Sequence, residues 1–318
     1  MSEYKSHYSV MKEDVITHLG KDNGIYADLT FGAGGHSLAL AKFNGSKVLS
    51  FDQDPEALAN GFTLFKEEKI ENIKLVDSNF ENFQTHADIF LKENNAEGFD
   101  GIVMDLGVSS HHFDEASRGF SFRFDAPLDM RMNPRAGISA AEFLNTSEEE
   151  QIAAALWEYG EEKLSRKIAK RIVHDRKTAP IESTLQLAEI VRSCYPAAKR
   201  FSKIHPATKT FQALRIEVNN ELGVLSDTLP QVASKLVMNG RLAVISFHSL
   251  EDRLAKIVFK ELEQRTELPL YKTSRKPIVP SPSEIFENSR SRSAKMRVLE
   301  RISFKRDKNK YAHLNVKE

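Results

Sequence analysis

Cysteine and long apolar runs are nearly absent from this chain of 318 residues. The single cysteine, Cys194, excludes an internal disulfide and the paired-cysteine motifs that hold a metal ion. No apolar run approaches the roughly 20 residues that cross a bilayer, so we expect no association with a membrane. The N-terminal stretch "MSEYKSHYSVMKEDV" lacks the apolar segment of a secretory signal. Together these absences predict a cytoplasmic protein.

Net charge is absent as well, because 45 basic residues balance 45 acidic ones. The signs are nevertheless separated along the chain. Residues 160–209 contain twelve lysines and arginines against five acids, and a second basic block covers residues 290–310. Positive segments of this kind suit binding to a phosphate backbone. They are equally typical of solvated helix faces, so composition leaves both interpretations open.

Strand and helix patterns alternate over the first hundred residues. The strand candidates are "GIYADLT", "KVLSFD", "NIKLVDS" and "FDGIVMDL", and helix candidates separate them. Alternation at this spacing predicts βαβ units on a parallel sheet. The strands themselves show little alternation of apolar and polar residues, which is typical of strands covered on both faces.

The pattern changes after residue 113. An irregular segment rich in Phe and Arg precedes several helix candidates, and the α/β pattern then resumes with "GRLAVISF" and "AKMRVLERISF". We therefore predict an α/β domain formed by residues 1–113 and 209–318, with a mostly helical domain, residues 114–208, inserted into it. The stretch "TKTFQALRIEVNNELGVLSDTLPQVASKL" is predicted as a helix interrupted at its proline, and "RTELPLYKTSRKPIVPSPSEIFENSRSRS" as a loop.

The stretch "YADLTFGAGGHSLALA" predicts a strand, a glycine turn and the start of a helix, a shape that holds nucleotide-like cofactors. The dinucleotide motif has glycine where this chain has Ser37. Asp52 ends the second strand, where a carboxylate accepts from ribose hydroxyls. Nicotinamide dinucleotides and S-adenosylmethionine both carry a ribose, so the cofactor stays open here, as does a turn without a ligand. Asp54, before Pro55, is predicted to cap the next helix.

Two further strand ends carry candidate binding residues. Phe80 follows the third strand, where its ring can pack on an adenine or join the core. Asp105 ends the fourth strand and is expected near the reacting part of a ligand, because open parallel sheets bind ligands outside the carboxyl ends of their strands. The following "SSHH" contains Ser109 as a candidate to orient an amine or hydroxyl. Its adjacent histidines lack metal-ligand spacing, so we expect no metal site.

Two later polar segments are expected at the same rim. The first, "HPATKTFQALRI", supplies His205, Lys209, Gln212 and Arg215, and the second, "SFHSLEDRL", supplies His248 and Arg253. A Ser–His–Asp hydrolase does not fit the second segment, because the chain has no G-x-S-x-G turn and Ser249 is adjacent to His248.

Segments that cover essentially the whole chain occur in the same order in one known family. They include "GIYADLTFGAGGHS", "FDQDPEAL", "DGIVMDLGVSS", "RGFSF", "LDMRM", "HPATKTFQALRIEVNNEL", "GRLAVISFHSLEDR" and "SRSAKMRVLERI". The chain thereby resembles the bacterial 16S ribosomal RNA (cytosine-N4)-methyltransferases (RsmH/MraW). The resemblance implies an α/β fold, a Rossmann-like class I S-adenosylmethionine-dependent methyltransferase domain with an inserted helical domain. It also implies methylation of one cytosine amine in the decoding region of 16S rRNA.

The resemblance also implies roles for individual residues. Cofactor contacts are implied for Gly34, Gly35, His36, Asp52, Phe80, Asp105 and His112. His112 stands where the family usually has glutamine, although an imidazole can also donate or accept. The implied partner is 16S rRNA within the 30S subunit, and the association of two copies into a homodimer is left open.

The expected reaction is a direct in-line displacement, since a sulfonium leaves readily without a metal. The cytosine amine needs activation because its lone pair is conjugated with the ring. We expect Asp105, or a backbone carbonyl between Leu106 and Ser109, to accept a hydrogen bond from this amine. Many amino-methyltransferases use an Asn/Asp-Pro-Pro-aromatic loop instead, so their residue roles cannot be transferred to "DLGV".

The target base lies in structured RNA and has to leave its stack to react. The phenylalanines of "GFSFRFD", Phe120, Phe122 and Phe124, are candidates to stack it, or else seal a boundary between domains. The candidates for phosphate contacts are Arg118, Arg123 and Arg131. Two other functions remain as alternatives. One is an NAD-dependent oxidoreductase, which Ser37 and the "DLGVSS" loop disfavour, and the other is a non-catalytic RNA-binding or ribosome-assembly factor.

Overall fold

The computed structural model describes residues 9–108, 115–202 and 204–304, which form two compact units. Within the described residues, the α/β unit consists of residues 9–52, 61–106 and 226–304. The helical unit consists of residues 53–60, 107–108, 115–202 and 204–225. None of the helices in this part of the chain combines the length and the apolar composition of a membrane span.

A seven-stranded sheet forms the centre of the described α/β unit, with the order β3-β2-β1-β4-β5-β7-β6. The strands are β1 (Ile25–Asp28), β2 (Lys47–Asp52), β3 (Ile73–Asp77), β4 (Phe99–Asp105), β5 (Leu236–Ser246), β6 (Leu270–Thr273) and β7 (Lys295–Ile302). The first five pair in parallel, whereas β7 runs antiparallel to β5 and to β6. The strand order reverses between β1 and β4, which is the switch point where sheets of this kind bind ligands.

The helices of the described residues are α1 (Lys12–Leu19), α2 (Gly35–Ala41), α3 (Pro55–Glu67), α4 (Phe83–Glu93), α5 (Ala140–Thr146), α6 (Glu149–Glu158), α7 (Ser165–Asp175), α8 (Thr184–Cys194), α9 (Thr208–Val218), α10 (Glu221–Ser234), α11 (Ser249–Gln264) and α12 (Pro282–Glu287). Helices α5 to α9 belong to the helical unit, where Leu156, Ile168 and Leu214 lie in its core. In the α/β unit, successive residues of β2 and β4 are buried on both faces of the sheet, which confirms the interpretation of their apolar runs.

The long helix predicted from Thr208 onward is two helices, α9 and α10. The break falls at Asn219 and Asn220, whereas Pro230 lies inside α10, so the prediction that the proline interrupts the helix was wrong. Asn220 has a φ of 47°, and the Asn219 side chain accepts from Met132 N at 2.7 Å. Asparagine tolerates this left-handed conformation and its amide competes with the helix for backbone partners, which explains the break.

The segment predicted as a loop after residue 264 also contains regular structure. Strand β6 pairs with β7 at the edge of the sheet, and α12 follows, capped by the Ser281 side chain, which accepts from Glu284 N at 3.1 Å. An edge strand of four residues is too short to show an apolar period, and the prolines and serines around it are typical of loops. The prediction of a continuous loop was therefore wrong.

The helical unit differs in its bounds from the predicted insertion, residues 114–208. It includes residues 53–60 and extends to residue 225. Two contacts account for the difference. Phe211 and Leu214 of α9 lie in the core of the helical unit, and Arg118 lies 2.9 Å from the Asp54 carboxylate.

Arg118 stabilises the helical unit from its interior. Its guanidinium is buried and also donates to the carbonyls of Arg131 and Met132, at 3.1 and 2.9 Å. Asp54 Oδ1 accepts from Glu56 N at 3.1 Å, which confirms that Asp54 caps α3. Because these partners surround the Arg118 guanidinium, it is not available for the phosphate contact that we expected.

We predict that Arg118→Met destabilises the helical unit by about 3–5 kcal/mol, because the buried Asp54 carboxylate loses its guanidinium. Urea unfolding followed by the fluorescence of Trp157, the chain's single tryptophan and a residue of α6, measures this loss. The control is Arg123→Met, an exposed arginine of the same segment, which should change stability by less than about 0.5 kcal/mol. Equal stabilities of the two variants would contradict the role of Arg118.

Candidate functional site

Two hydrogen bonds tie the glycine turn after β1 to the end of β2. Phe31 N donates to Phe51 O at 2.8 Å, and Gly32 N donates to Asp52 Oδ2 at 2.7 Å. Gly32 has a φ of 53°, and the nearest atom that a Cβ there would meet among the described residues is 4.0 Å away. The backbone of the turn therefore faces open space beside the Asp52 carboxylate, which is the kind of surface that a ligand can approach closely.

Local packing accounts for the two glycines that follow, Gly34 and Gly35. Gly34 has a φ of 80°, and a Cβ there would lie 2.7 Å from the Phe31 ring. A Cβ on Gly35 would lie 1.7 Å from Ser9 Oγ. Both positions therefore require glycine for the local structure, whether or not a ligand is bound.

Ser37 has a structural role that glycine cannot supply. Its hydroxyl donates to Asp28 Oδ2 at 2.6 Å and lies 2.8 Å from Ser50 Oγ, and all three side chains are buried. Burial raises the pKa of Asp28, and the bond from Ser37 is among the contacts that oppose this rise. Ser37, which stands where the dinucleotide motif has glycine, thus connects α2 to β1 and β2 through these hydrogen bonds.

Asp105 lies beside this network at the end of β4. Its backbone N donates to Thr30 Oγ1 at 2.7 Å, and its Oδ2 lies 3.4 Å from His36 Nε2. Burial alone would lower the pKa of His36, but the Asp105 carboxylate and the nearby Asp28 raise it above its ordinary value. The sequence predictions omit Asp28 and Thr30, although a polar residue at the end of an apolar strand and another two residues later were a signal for them.

Some polar atoms of this cluster lack hydrogen bonds. Both ring nitrogens of His36 and Oδ1 of Asp105 are buried without a hydrogen-bond partner among the described residues. The 3.4 Å between His36 Nε2 and Asp105 Oδ2 is an ion-pair separation and not a well-aligned hydrogen bond. Since buried polar atoms are nearly always bonded, this cluster fits a ligand that donates and accepts hydrogen bonds.

The end of β3 places a further cofactor candidate near Asp52. Asp52 pairs in register with Asp77 of β3, and Phe80 begins a short 3₁₀ helix soon after that strand ends. The Asn79 side chain caps this 3₁₀ helix by accepting from Glu81 N at 3.0 Å. Phe80 itself is half-buried.

The structure brings most of the expected cofactor contacts to one edge of the sheet. Six candidates lie at the carboxyl ends of β1 to β4, namely Gly34, Gly35, His36, Asp52, Phe80 and Asp105. Ser109 and His112 lie outside the described residues, so the expectations for these two positions stay predictions.

The "SFHSLEDR" segment forms the start of α11. His248 Nδ1 accepts from Glu251 N at 3.4 Å, and Glu251 Oε2 accepts from Phe247 N and His248 N at 2.8 and 3.2 Å. This reciprocal arrangement is a capping box, which satisfies backbone donors that the first helical turn leaves unbonded. His248 thus caps the helix, while its Nε2 lies 3.1 Å from Glu251 Oε1 and is buried without a hydrogen bond among the described residues. Arg253 is exposed on the same helix.

The aromatic candidates of the helical unit are mostly internal. Phe120 is buried, and the Phe122 ring packs between His205 and Phe211, with both centroid separations at 4.7 Å. Burial and the nearby Arg192 lower the pKa of His205, which favours the neutral imidazole. Phe120 is therefore not accessible to a base in this structure, whereas Phe122 is half-buried, so its stacking on a base stays a prediction.

The polar candidates of the helical unit have internal partners as well. Arg131 bonds Asp129 at 2.7 Å, and Arg215 bonds Glu221 at 2.7 and 2.8 Å. Gln212 donates to Tyr159 O at 2.9 Å, and Lys209 donates to Glu161 O at 3.0 Å. These bonds all lie within the helical unit, and only Lys209 among these four is exposed, so their contacts with RNA stay predictions.

Comparisons with known proteins find relatives along nearly the whole chain. A model of the MraW methylase family matches residues 4–302. The ribosomal RNA small subunit methyltransferase H of Clostridium botulinum (strain Kyoto / Type A2) is 45% identical, covering 94% of this chain and 100% of the relative. The protein of the same name from Marinomonas sp. (strain MWYL1) is also 45% identical, covering 93% of this chain and 97% of the relative.

Among solved structures, an rRNA methylase from Streptococcus thermophilus aligns with a TM-score of 0.44 at 12% identity, covering 92% of this chain and 95% of that one.

The family match spans nearly the whole chain and includes the glycine turn, Asp52 and Asp105. On these grounds the chain belongs to the MraW methylase family.

Proposed function

We propose that this protein transfers the methyl group of S-adenosylmethionine to the N4 amine of one cytidine in the decoding region of 16S ribosomal RNA. Membership of the methylase family and the shared name of the relatives support this function. The structural observation that carries it is the buried His36–Asp105 pair with unbonded polar atoms, beside a glycine turn tied to Asp52. We further propose that the assembled 30S subunit is the substrate, in the cytoplasm.

The residues at the carboxyl ends of the strands fit this cofactor. A carboxylate offers about four lone-pair sites, so Asp52 can bond Gly32 N and still accept from ribose hydroxyls. Gly34, Gly35 and His36 would line the side of the turn, and Phe80 would pack on the adenine. When bound, S-adenosylmethionine supplies a methyl group activated by the adjacent sulfonium.

Asp105 is the group that we assign to the cytosine amine. Thr30 Oγ1 accepts from its backbone N, and the Asp105 side chain is 22% exposed beside His36, which leaves part of the carboxylate accessible to the amine. A hydrogen bond from the amine to this carboxylate would draw one N–H out of the plane of the base and localise the nitrogen lone pair. The carboxylate would then take the proton that the nitrogen loses once its bond to the methyl group has formed.

The first test of this function is methyl transfer to small subunits from a strain that lacks the gene. We expect labelled methyl groups from S-adenosylmethionine in 16S RNA, recovered as N4-methylcytidine by mass spectrometry of the nucleosides. Subunits from the parent strain, already methylated, should accept little label. If the protein binds the cofactor but labels neither free 16S RNA nor 30S subunits, a non-catalytic RNA-binding factor becomes the better interpretation. Binding of NAD instead would favour the oxidoreductase.

We expect Asp52→Asn to weaken the binding of S-adenosylmethionine about 10- to 100-fold, because a hydrogen bond to a charged group contributes about 1.5–3 kcal/mol. Isothermal titration gives the dissociation constant. Asp100→Asn is the matched control, since Asp100 lies near the start of β4, where it accepts from Ile25 N at 2.8 Å. Unchanged affinity in Asp52→Asn, or an equal loss in both variants, would argue against a ribose contact.

Replacement of Asp105 should reduce turnover much more than it weakens binding of the cofactor. For Asp105→Asn we predict a fall in kcat of about 100-fold or more, since a positioned acid–base group typically contributes that much. The dissociation constant of S-adenosylmethionine should change by less than about 10-fold. The opposite result, with binding lost and kcat retained at saturating cofactor, would limit Asp105 to holding the cofactor.

A further inference from the structure

An aromatic ring is exposed on the helical unit, in the segment between α8 and α9. Phe201 is 83% exposed, and Ile204, three residues later, is 71% exposed. Single exposed apolar side chains are ordinary on protein surfaces, so exposure alone assigns no role to Phe201. The charges and contacts around the ring are what distinguish it.

The sequence around Phe201 is positive, and the nearest acid before it is Glu189. Residues 190–216 include six lysines and arginines and no Asp or Glu. Arg200 donates to Tyr195 O at 2.9 Å and Ser193 O at 3.3 Å, and Lys199 is exposed. Bonds to carbonyls leave the charge of Arg200 in place, so this surface retains a positive field that favours a phosphate backbone.

An arginine of α8 contacts the Phe201 ring. The Arg192 guanidinium lies over it, with its carbon 5.3 Å from the ring centroid, and Glu189 holds Arg192 at 2.5 Å. Arg200 fixes the adjoining backbone to the C-terminal end of α8. One face of the ring is therefore covered by a cation, in a cation–π contact, and the side chain otherwise faces solvent.

We propose that Phe201 is a stacking platform for an unpaired nucleobase of the RNA substrate, with Lys199 and Arg200 near the phosphates of the same strand. This proposal rests on the proposed RNA methyl transfer. An aromatic ring beside cations is the usual combination for binding single-stranded RNA, because every base has a π face that can stack. Phe201 then adds affinity for RNA with little preference for sequence, and it takes no part in the chemical step.

The test uses Phe201→Leu, which keeps an apolar side chain but removes the ring, and Phe201→Trp, which keeps a ring. The probe is a single-stranded RNA oligonucleotide that carries 2-aminopurine, whose fluorescence falls on stacking. We expect Phe201→Leu to bind this RNA at least about five-fold more weakly and to lose the quenching, and Phe201→Trp to retain both. The salt dependence of binding should be unchanged, because no cation is lost.

Phe286→Leu is the matched control, because Phe286 is 92% exposed on α12 of the α/β unit. Equal RNA affinity of Phe201→Leu and the unchanged protein overturns the proposal. So does an equal loss in Phe286→Leu, or a loss accompanied by a lower melting temperature, since either would make the effect nonspecific or structural.

The same variants separate this proposal from the proposed function. Phe201→Leu should raise the KM for 30S subunits while leaving kcat and the dissociation constant of S-adenosylmethionine unchanged. If the unchanged protein methylates 30S subunits and Phe201→Leu has the same KM, only the stacking platform fails. If the unchanged protein methylates no RNA, the proposed function fails whatever the RNA affinity of Phe201→Leu.

Discussion

The hydrogen bond from Ser37 to the buried carboxyl group of Asp28 is the interaction on which the candidate cofactor site depends. A buried carboxyl group without partners costs several kcal/mol, so the Asp28 side chain requires the donors that surround it. Ser37 Oγ and Thr30 N supply them at 2.6 and 3.1 Å, and they belong to the helix and the turn that follow β1. Satisfying Asp28 thereby fixes the glycine turn and places His36 beside Asp105.

Several residues with the chemistry of a catalytic site serve the fold instead. His248 and Glu251 cap α11, Arg118 binds the buried Asp54, and Arg215 binds Glu221. In each case a charged or polar group is bonded inside its own unit, where leaving it unpaired would cost more than the bond contributes. His248 Nε2 is also buried without a hydrogen bond among the described residues, so what distinguishes His36 and Asp105 is that their unbonded atoms lie together beside the glycine turn.

The two units contribute different kinds of interaction to the proposed reaction. In the α/β unit, polar atoms at the strand ends hold and orient small groups through hydrogen bonds, which depend on position to within a few tenths of an ångström. In the helical unit, we propose that positive charge and the exposed ring of Phe201 bind RNA through long-range attraction and stacking, which tolerate variation in sequence. The proposed function therefore assigns activation of the amine to Asp105 and affinity for the RNA to the helical unit.

The sequence by itself determined the parallel strands, the glycine turn and the positions of Asp52 and Asp105, because apolar runs and turn residues are local signals. It also indicated the family through motifs that span the chain. Only the tertiary structure decided that Arg118 and Phe120 are buried, that Ser37 bonds Asp28, and that α9 belongs to the helical unit. These outcomes depend on contacts between residues far apart in the chain, such as Arg118 with Asp54, and no local pattern encodes which polar group will be satisfied by which distant partner.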